Sequence, residues 1–419
     1  FFSSLGPSVV RMGLDRIHSA LDALGRPERS FPILHVAGTN GKGSTCAFAA
    51  ASLAAQGYRV GLYTSPHLVA VNERVRVDGT PVSDDALARR ILEVLERYPE
   101  AASDPPPLTF FELGTLVAFW HFAQEEVDVA VVETGLGGRL DATSAARPAV
   151  TAITPVSMDH TEYLGHTLSA IAREKAGIFK SGVPAVSSRQ APEALRVLEE
   201  IAREVGTSLK VEGRDFSLTP ENTSSGALGT YRGMRTSVPG LSLGLQGAHQ
   251  WQNAAVALAA LELLEDQGLR LSAESARKGL AEVQWPGRLE VVAERPTVLV
   301  DGAHNPAAVE ALATAVATLY PNRPIHLVFG LFTDKDRRPM LRALFPRCAS
   351  AWLARPDNPR GLEPERYWSE ARELCPQVQV ARSVAEAVAQ AQLEAGPDGL
   401  VLATGSLSVV GEVKRALGT

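Results

Sequence analysis

A glycine-rich segment with one lysine lies between an apolar run and an alanine-rich run near the start of the sequence. It reads Gly-Thr-Asn-Gly-Lys-Gly-Ser-Thr over residues 38–45, after apolar residues 33–37. A strand, a glycine loop and a helix in this order predict a phosphate cradle, because loop N–H groups and the helix N-terminus converge on an anion. Lys42 adds a positive charge to this cradle. The pattern departs from the usual one at Gly43, because Ser or Thr normally follows the lysine. The alternative is a glycine turn that merely precedes a helix.

A second candidate is the carboxylate of Glu133, which ends the apolar run 127–132. Strand ends of a parallel sheet open onto the ligand crevice, and Mg²⁺ prefers carboxylate oxygen, water and phosphate as ligands. The glycine-rich residues 135–143 follow at once and allow close backbone approach to a ligand. Glu133 is therefore predicted to organise Mg²⁺, and the alternative is a capping glutamate before a flexible turn.

An acid and an imidazole, Asp159 and His160, follow the predicted strand 150–154. His160 is a candidate metal ligand, base or hydrogen-bonded loop histidine, and a metal shared with Glu133 becomes plausible if both strands belong to one sheet. Lys175 lies in the predicted helix 168–179 among other charged residues. From composition alone, its charge is expected to face solvent.

The C-terminal part repeats the pattern of an acid after a strand. Asp301 follows the apolar residues 298–300 and precedes a turn and a proline. Acids at this place often bind ribose hydroxyls, and a helix cap is the alternative. Arg288 follows a Pro-Gly pair at a predicted domain junction, where it could reach a phosphate across a cleft or simply lie on the surface.

Alternating strands and helices predict an α/β protein with a parallel sheet. The predicted strands of the first part are 33–37, 59–63, 127–133, 150–154 and 183–187, and the helices are 84–97, 111–125, 168–179 and 193–205. Residues 208–246 are richer in Gly, Ser and Thr, and 208–211 and 228–234 are predicted to be antiparallel strands. Two helices, 250–267 and 273–283, follow. A second alternating series begins after Trp285-Pro286-Gly287, so the predicted domains are 1–287 and 288–419.

Bulk composition limits the class of protein. The 419 residues exceed one hydrophobic core, and 45% hydrophobic with 21% charged residues is ordinary for a globular protein. A net charge of −6 argues against nucleic-acid and membrane-surface partners. The 3 cysteines are widely spaced and form no metal motif, which favours a reducing, cytoplasmic setting. No run approaches membrane-spanning length, and no signal peptide is evident.

Taken together, these motifs resemble the Mur ligase superfamily, and specifically bacterial dihydrofolate synthase/folylpolyglutamate synthases. The matching runs occur in the family's order along nearly the whole chain, at residues 38–45, 63–68, 72–74, 108–112, 133–143, 159–160, 164–165, 174–179, 249–255, 286–290 and 301–306. The short phosphate loop with Gly43 is the family's own form. The resemblance implies an N-terminal P-loop ATPase domain, with a parallel sheet and a small antiparallel region, joined to a C-terminal Rossmann-like α/β domain, with the active site between them.

The resemblance also implies a reaction with ATP and Mg²⁺. ATP phosphorylates the carboxylate of a pteroyl substrate, and the amino group of L-glutamate then attacks the acyl phosphate to give an amide. The implied partners are dihydropteroate, tetrahydrofolates and L-glutamate, handled by a cytoplasmic monomer. A monofunctional folylpolyglutamate synthase and, more distantly, a cell-wall Mur ligase are alternatives within the superfamily. A P-loop ATPase or nucleotide-binding regulator is the alternative outside it.

Carried over position by position, the resemblance assigns roles to individual residues. Asn253 would contact adenine, Arg288 the phosphates and Asp301 the ribose. Lys175 matches the family's carbamylated lysine. Carbamylation turns the cation into an anion that can bind a metal, so the resemblance places Lys175 in the active site and not on the solvent face. The cofactor-binding set is Thr39, Asn40, Gly41, Lys42, Gly43, Ser44, Asn253, Arg288, Asp301 and His304, the metal set is Ser65, Glu133, His160 and carbamylated Lys175, and the catalytic set is Lys42, His160 and Lys175.

Two further stretches match the pterin side of bifunctional members. They comprise Thr109, Phe110, Phe111 and Glu112, and Leu140, Asp141 and Ala142. Asp141 could accept hydrogen bonds from a pterin ring, and the phenylalanines could supply a stacking wall. The alternative is that Asp141 caps a turn while both phenylalanines fill a helix core.

Overall fold

Helices pack around three β-sheets in the computed structural model, which describes residues 11–99, 108–223 and 226–419. The strands of the large N-terminal sheet are β1 (Ile33–Ala37), β2 (Val60–Tyr63), β3 (Val75–Val77), β4 (Thr80–Pro81), β5 (Val129–Glu133), β6 (Val150–Ile153), β7 (Ala185–Ser187) and β8 (Leu209–Val211). Its neighbouring helices are α1 (Asp15–Ala23), α2 (Lys42–Gln56), α3 (Asp84–Arg97), α4 (Phe110–Gln124), α5 (Thr161–Leu164), α6 (Leu168–Ala176) and α7 (Pro192–Val205).

The large sheet has the order β4-β3-β2-β5-β1-β6-β7-β8. β1 lies inside it, parallel to β5 on one side and to β6 on the other. β3 and β4 pair antiparallel at one edge. The carboxyl ends of β1, β5 and β6 therefore share one edge, so the loops that carry the phosphate-binding motif, Glu133 and His160 converge there.

The prediction for residues 208–211 is wrong. They form β8, which pairs parallel with β7 and extends the large sheet. The reason is the crossover helix α7 between the two strands, which returns the chain to the same end of the sheet before β8 begins.

A small antiparallel sheet follows the large one, as predicted for this region. It contains β9 (Ser217–Thr223), β10 (Gly226–Arg232) and β11 (Ser237–Leu241), with β10 in the middle. The helices α8 (His249–Leu264) and α9 (Ala273–Glu282) come next. Together with α2 they bury one face of the large sheet, whereas α1, α3 and α4 cover part of the other face.

The C-terminal part forms its own α/β layer structure around a sheet of order β12-β13-β17-β14-β15-β16. Its strands are β12 (Glu290–Glu294), β13 (Thr297–Val300), β14 (Ile325–Phe329), β15 (Cys348–Leu353), β16 (Val378–Val380) and β17 (Leu400–Thr404). Its helices are α10 (Pro306–Leu319), α11 (Arg337–Leu344), α12 (Trp368–Leu374), α13 (Val384–Ala395) and α14 (Leu407–Leu417). The pairs are parallel except at β12 and β13. The division into 1–287 and 288–419 stays a prediction, with β12 beginning just after it.

The helices differ from membrane spans in length and polarity. Across the described residues, none combines the length and the apolar character needed to cross a bilayer.

Candidate active site

The loop between β1 and α2 depends on glycine for its shape. Gly38 has φ 147°, and a Cβ there would lie 1.8 Å from Oγ1 of Thr154. Gly41 has φ 85°, and its Cβ would lie 2.2 Å from Oδ1 of Asn253. Both positions combine a left-handed backbone with a close neighbour, so any side chain would deform the loop.

The first loop residues are fixed by the chain that follows β6. The N–H groups of Thr39 and Asn40 donate to the carbonyl of Pro155 at 2.9 and 3.2 Å. The hydroxyl of Thr39 also donates to the carbonyl of Ser157 at 3.0 Å. The first-turn N–H groups of α2, at residues 42–44, have no acceptor within the helix and point toward its N-terminal end. They are the backbone groups suited to bind an anion.

Glu133 projects from the end of β5 toward the same loop. Its Oε2 accepts a hydrogen bond from the N–H of Ser65 at 3.1 Å, and its Oε1 lies 3.8 Å from Nζ of Lys42. Burial raises the pKa of Glu133, an effect that the charge of Lys42 opposes. A buried carboxylate and a hydroxyl beside a phosphate loop are oxygen donors that suit Mg²⁺. In the described ranges, no three His, Cys, Asp or Glu side chains lie close enough together to form a metal site on their own.

Lys175 is buried, contrary to the solvent-facing position that composition alone predicts. Its Nζ donates to the carbonyl of Gly38 in the phosphate loop at 2.7 Å. Burial, aided by the charge of Lys42, lowers the pKa of Lys175 to about 7. His160 adopts φ 48° just before α5, and burial lowers its pKa to about 4 although Asp159 opposes the shift. Both side chains line the cavity that the phosphate loop borders.

Two residues predicted to bind ATP approach this phosphate-loop cavity from α8 and from the junction before β12. The amide of Asn253 donates to Oε1 of Gln250 at 2.9 Å and packs against Gly41. Nη1 of Arg288 donates to the carbonyl of Gly287 at 2.9 Å. The cavity is lined by Gly38, Thr39, Asn40, Gly41, Lys42, Gly43, Ser44, Ser65, Glu133, His160, Lys175, Asn253, Arg288, Asp301 and His304, among others.

Asp301 and His304 follow β13 and complete this side of the cavity. Asp301 accepts hydrogen bonds from the N–H groups of Leu289 at 3.0 Å and Ala303 at 2.8 Å. Nδ1 of His304 donates to the carbonyl of Gly302 at 2.8 Å. Asp301 thus fixes the backbone just before β12 within the C-terminal half, and it also lines the cavity.

A polar cluster joins the two halves beside this cavity, and it includes two residues, Asn305 and Lys335, to which the sequence assigned no role. Nζ of Lys335 lies 2.6 Å from Oδ1 of Asp159, and Nε2 of His304 lies 3.4 Å from Oδ2. The amide of Asn305 donates to Oδ1 of Asn40 at 2.8 Å and to Oδ2 of Asp159 at 3.2 Å. We call Asn40, Asp159, His304, Asn305 and Lys335 the junction cluster.

Asp159 carries the negative charge of the junction cluster. Burial alone would raise the pKa of Asp159, but contact with His304 and the charges of His160 and Lys335 hold that pKa well below its usual range. The carboxylate is therefore ionised at neutral pH. The sequence already singled out Asp159 by its place directly before His160 after a strand end, but it gave no indication that Lys335 would be its partner.

A second cavity opens beside the first and contains the predicted pterin-side residues. The guanidinium of Arg74 lies 5.0 Å from the centre of the Phe110 ring. Phe111 packs against Tyr63, with ring centres 5.9 Å apart. The residues lining this second cavity include Thr109, Phe110, Phe111, Glu112, Leu140, Asp141 and Ala142, together with Arg74, Phe332, Lys335 and Arg360.

The carboxylate of Asp141 is occupied by its own loop. Oδ2 accepts from the N–H groups of Gly135 and Leu136, both at 2.9 Å. Oδ1 accepts from the N–H of Thr143 at 3.1 Å and from its hydroxyl at 2.5 Å. A carboxylate offers about four acceptor positions. The predicted hydrogen bonds from pterin N–H groups to Asp141 would therefore replace existing ones. The observed contacts are those of the alternative role, in which Asp141 caps its own turn.

Thr109 and Glu112 also make local contacts, since they form a capping box at the start of α4. The hydroxyl of Thr109 accepts from the N–H of Glu112 at 3.2 Å, and Oε2 of Glu112 accepts from the N–H of Thr109 at 2.7 Å. Arg16 of α1 lies 2.9 Å from Oε1 of Glu112. These contacts fix the helix end that presents Phe110 and Phe111 to the second cavity.

The two cavities share a wall. Ser65, Gly135, Leu136, His160 and His304 line both of them. The phosphate-binding loop thus lines the cavity on one side of this wall, and Phe110 and Phe111 line the cavity on the other side.

Two domain families match the chain on either side of the junction. Residues 36–261 match the Mur ligase middle domain, and residues 287–407 match the glutamate ligase domain of Mur ligases. The dihydrofolate synthase/folylpolyglutamate synthase of Bacillus subtilis is 36% identical over 97% of this chain and 95% of its own length. The chain belongs to the dihydrofolate synthase/folylpolyglutamate synthase family of Mur ligases.

Other members of this family are similar over the whole chain. The solved structure of Escherichia coli FolC in complex with DHPP and ADP matches with a TM-score of 0.89 and 35% sequence identity, over 100% of this chain and 96% of that one. The probable bifunctional folylpolyglutamate synthase/dihydropteroate synthase of Haloferax volcanii is 39% identical over 97% of this chain, which spans only 48% of that longer protein. The family resemblance inferred from the motifs is confirmed.

Proposed function

We propose that this chain is an ATP-dependent ligase that adds L-glutamate to dihydropteroate, giving dihydrofolate, and to folates, giving folylpolyglutamates. The observation that carries the proposal is the wall shared by the phosphate-loop cavity and the second cavity. An acceptor held by its ring in the second cavity would present its carboxylate to the terminal phosphate of ATP.

In the first step, an acceptor carboxylate oxygen attacks the γ-phosphorus of ATP, the bond to the β-phosphate oxygen breaks, and an acyl phosphate and ADP result. Lys42 and the first-turn N–H groups of α2 stabilise the charge on the transferred phosphoryl group. Asn253, Arg288 and Asp301 hold the nucleotide at the junction. These residue roles are part of the proposal.

Glu133 and Ser65 are the residues that would hold Mg²⁺ beside the phosphates, and His160 with carbamylated Lys175 would hold a second ion. When bound, the ions neutralise phosphate charge. Lys175 suits carbamylation because burial lowers its pKa to about 7, so that much of the amine is uncharged and nucleophilic near neutral pH.

In the second step, the amino group of L-glutamate attacks the acyl carbon. The bond from that carbon to the phosphate oxygen breaks, phosphate leaves, and the amine loses a proton as the amide forms. Closure of the two halves over the intermediate excludes water, which would otherwise hydrolyse the acyl phosphate. The junction cluster supplies contacts for that closure.

The second cavity would hold the pteroyl ring by shape and aromatic contact. Dihydropteroate has no glutamate tail, so its ring is its main anchor, whereas a folate offers further carboxylates. Phe110 and Phe111 provide ring surfaces, and Leu140 and Ala142 flank the Asp141 loop. A monofunctional folylpolyglutamate synthase, the alternative predicted from sequence, would act on folates alone.

The compartment and assembly are also proposals. We infer a cytoplasmic monomer without nucleic-acid or membrane partners. The net charge of −6 supports the absence of nucleic-acid and membrane-surface partners. The free thiols of Cys46, Cys348 and Cys375 support a reducing compartment.

The dependence of ATP cleavage on the acceptor and on L-glutamate tests this proposal. Phosphate release from ATP should be slow with the enzyme alone and should require both a pteroyl acceptor and L-glutamate. If phosphate were released equally fast without the pteroyl acceptor and without L-glutamate, the chain would be a simple ATPase and not a ligase.

A further inference from the structure

His35 is a polar residue in the interior of the large sheet. It lies in β1, opposite Val132 of β5 and Thr151 of β6, and only 1% of it is exposed. Burial lowers the pKa of His35 to about 3, so the ring is neutral at physiological pH. Its Nδ1 has no hydrogen-bond partner among the described residues. Such a residue costs stability in a strand and calls for an explanation.

The other ring nitrogen begins a hydrogen-bond chain. Nε2 of His35 lies 2.7 Å from Oγ1 of Thr143, and that hydroxyl donates to Oδ1 of Asp141 at 2.5 Å. A hydroxyl has one hydrogen. Since the Thr143 hydrogen goes to the carboxylate, Nε2 of His35 must carry the hydrogen of the first bond. The chain therefore runs in one direction, from His35 through Thr143 to Asp141.

The chain ends at the wall between the two cavities. Asp141 accepts from the N–H groups of Gly135 and Leu136 at 2.9 Å each. Gly135 also packs closely on Phe111, since a Cβ there would lie 2.6 Å from Cζ of that ring. The chain thus connects the sheet interior to the backbone that separates the nucleotide from the acceptor.

We infer that His35 and Thr143 are positioning residues for the acceptor, which hold the Asp141 carboxylate in the orientation that shapes the shared wall. This inference rests on the proposed function, because the acceptor is the pteroyl substrate named there. Neither residue lines either cavity, so both act through Asp141 and the backbone of Gly135 and Leu136. The ATP-binding loop is held independently, through Pro155 and Ser157.

The test compares Thr143→Val with Thr143→Ser in the full-length enzyme. Valine removes the hydroxyl, whereas serine retains it. Thr151→Val is the matched control, since Thr151 is buried in the strand next to His35 and its hydroxyl has no partner among the described residues. Each variant is assayed for KM of dihydropteroate, KM of ATP, kcat and melting temperature, beside the unmutated enzyme.

Thr143→Val should raise the KM of dihydropteroate by about tenfold, as expected for loss of a hydrogen bond to a charged group, with little change in the KM of ATP. Thr143→Ser and Thr151→Val should keep values close to those of the unmutated enzyme. Equal changes in both KM values, no rescue by serine, or failure of Thr143→Val to fold would overturn the inference in favour of a purely structural role. Lack of activity in the unmutated enzyme would instead contradict the proposed function.

Discussion

Nζ of Lys335 lies 2.6 Å from Oδ1 of Asp159, and this ion pair joins the N-terminal and C-terminal halves beside both cavities. The Lys335 side chain is only 4% exposed and that of Asp159 only 7%. Two charges removed from water in this way hold each other in place, and loss of one removes the shortest polar contact of the other. Asp159 would keep its contacts with His304 and Asn305.

Lys335→Met should therefore weaken closure of the two halves. We expect kcat/KM for the acceptor to fall by about tenfold or more, because breaking a buried pair typically costs about 3–5 kcal/mol and part of that cost falls on the closed state. Steady-state kinetics and urea unfolding measure the two effects. The control is Arg382→Ala, which removes an exposed pair with Glu386 on the same half and should change either quantity little. Similar behaviour of the two variants would contradict the role of the junction.

Lys42→Ala should abolish most ligase activity without unfolding the protein. Loss of one group that stabilises transition-state charge commonly costs about 2.7–4 kcal/mol of barrier, a fall of about 100-fold to 1,000-fold in kcat. Turnover measured alongside a melting curve separates chemistry from folding. A folded variant with turnover near that of the unmutated enzyme would refute the assignment.

Lys175 should carry a carbamate in the active enzyme. A carbamate beside bound Mg²⁺ is attracted, whereas an ammonium is repelled. Lys175→Ala should be inactive and should regain measurable activity when a short carboxylic acid is added. Native mass spectrometry of the unmutated enzyme should show the added mass of one CO₂, which disappears on acidification. If the acid rescues nothing and the added mass is absent, Lys175 acts as an unmodified amine.

Asp141→Ala should harm addition to dihydropteroate more than addition to a folate that already carries glutamate. The substitution removes the acceptor of the N–H groups of Gly135 and Leu136 and so alters the ring-binding cavity. A folate should lose less, because its glutamate provides further anchoring groups. The ratio of kcat/KM for the two acceptors is the measurement. Equal losses on both acceptors would show that the wall does not discriminate between them.

His35 should make the protein less stable as the pH falls below about 6.5. Burial lowers its pKa in the folded chain to about 3 from an ordinary 6.5, so between these values the unfolded chain binds a proton that the folded chain does not. The free energy of unfolding then decreases by at most about 1.4 kcal/mol per pH unit on acidification. His35→Gln should flatten this dependence in urea unfolding at about pH 7.5 and about pH 5. An unchanged slope would mean that His35 does not titrate as a buried group.

Local patterns were sufficient to predict the elements that carry the motifs. β1 and α3 occupy the predicted ranges, 33–37 and 84–97, because an uninterrupted apolar run and an amphipathic run with a serine cap leave little choice of structure. Glu133 and His160 meet at one cavity because they follow strands of the same sheet, so their shared location was predictable from parallel topology. Lys175 was assigned to this site by the family resemblance alone, because composition predicts a solvent-facing charge.

Contacts between the halves were not predictable in the same way. Lys335 lies in the charged run 334–338, which in sequence is typical of a solvent-exposed segment. Only the packing of the two halves places its ammonium beside Asp159. Likewise, the sequence of the short segment 208–211 does not reveal whether the strand is parallel or antiparallel to its neighbour. The strand is parallel because α7 carries the chain back to the same end of the sheet.

Glutamate incorporation measures amide formation by this chain on each acceptor. The purified enzyme is given ATP, Mg²⁺ and labelled L-glutamate, with either dihydropteroate or a reduced folate as acceptor, and the products are identified by mass. We predict one glutamate added to dihydropteroate, further glutamates added to the folate, and one ADP formed for each amide. ADP formation without labelled product from either acceptor would contradict the account, and product from the folate alone would contradict its bifunctional part.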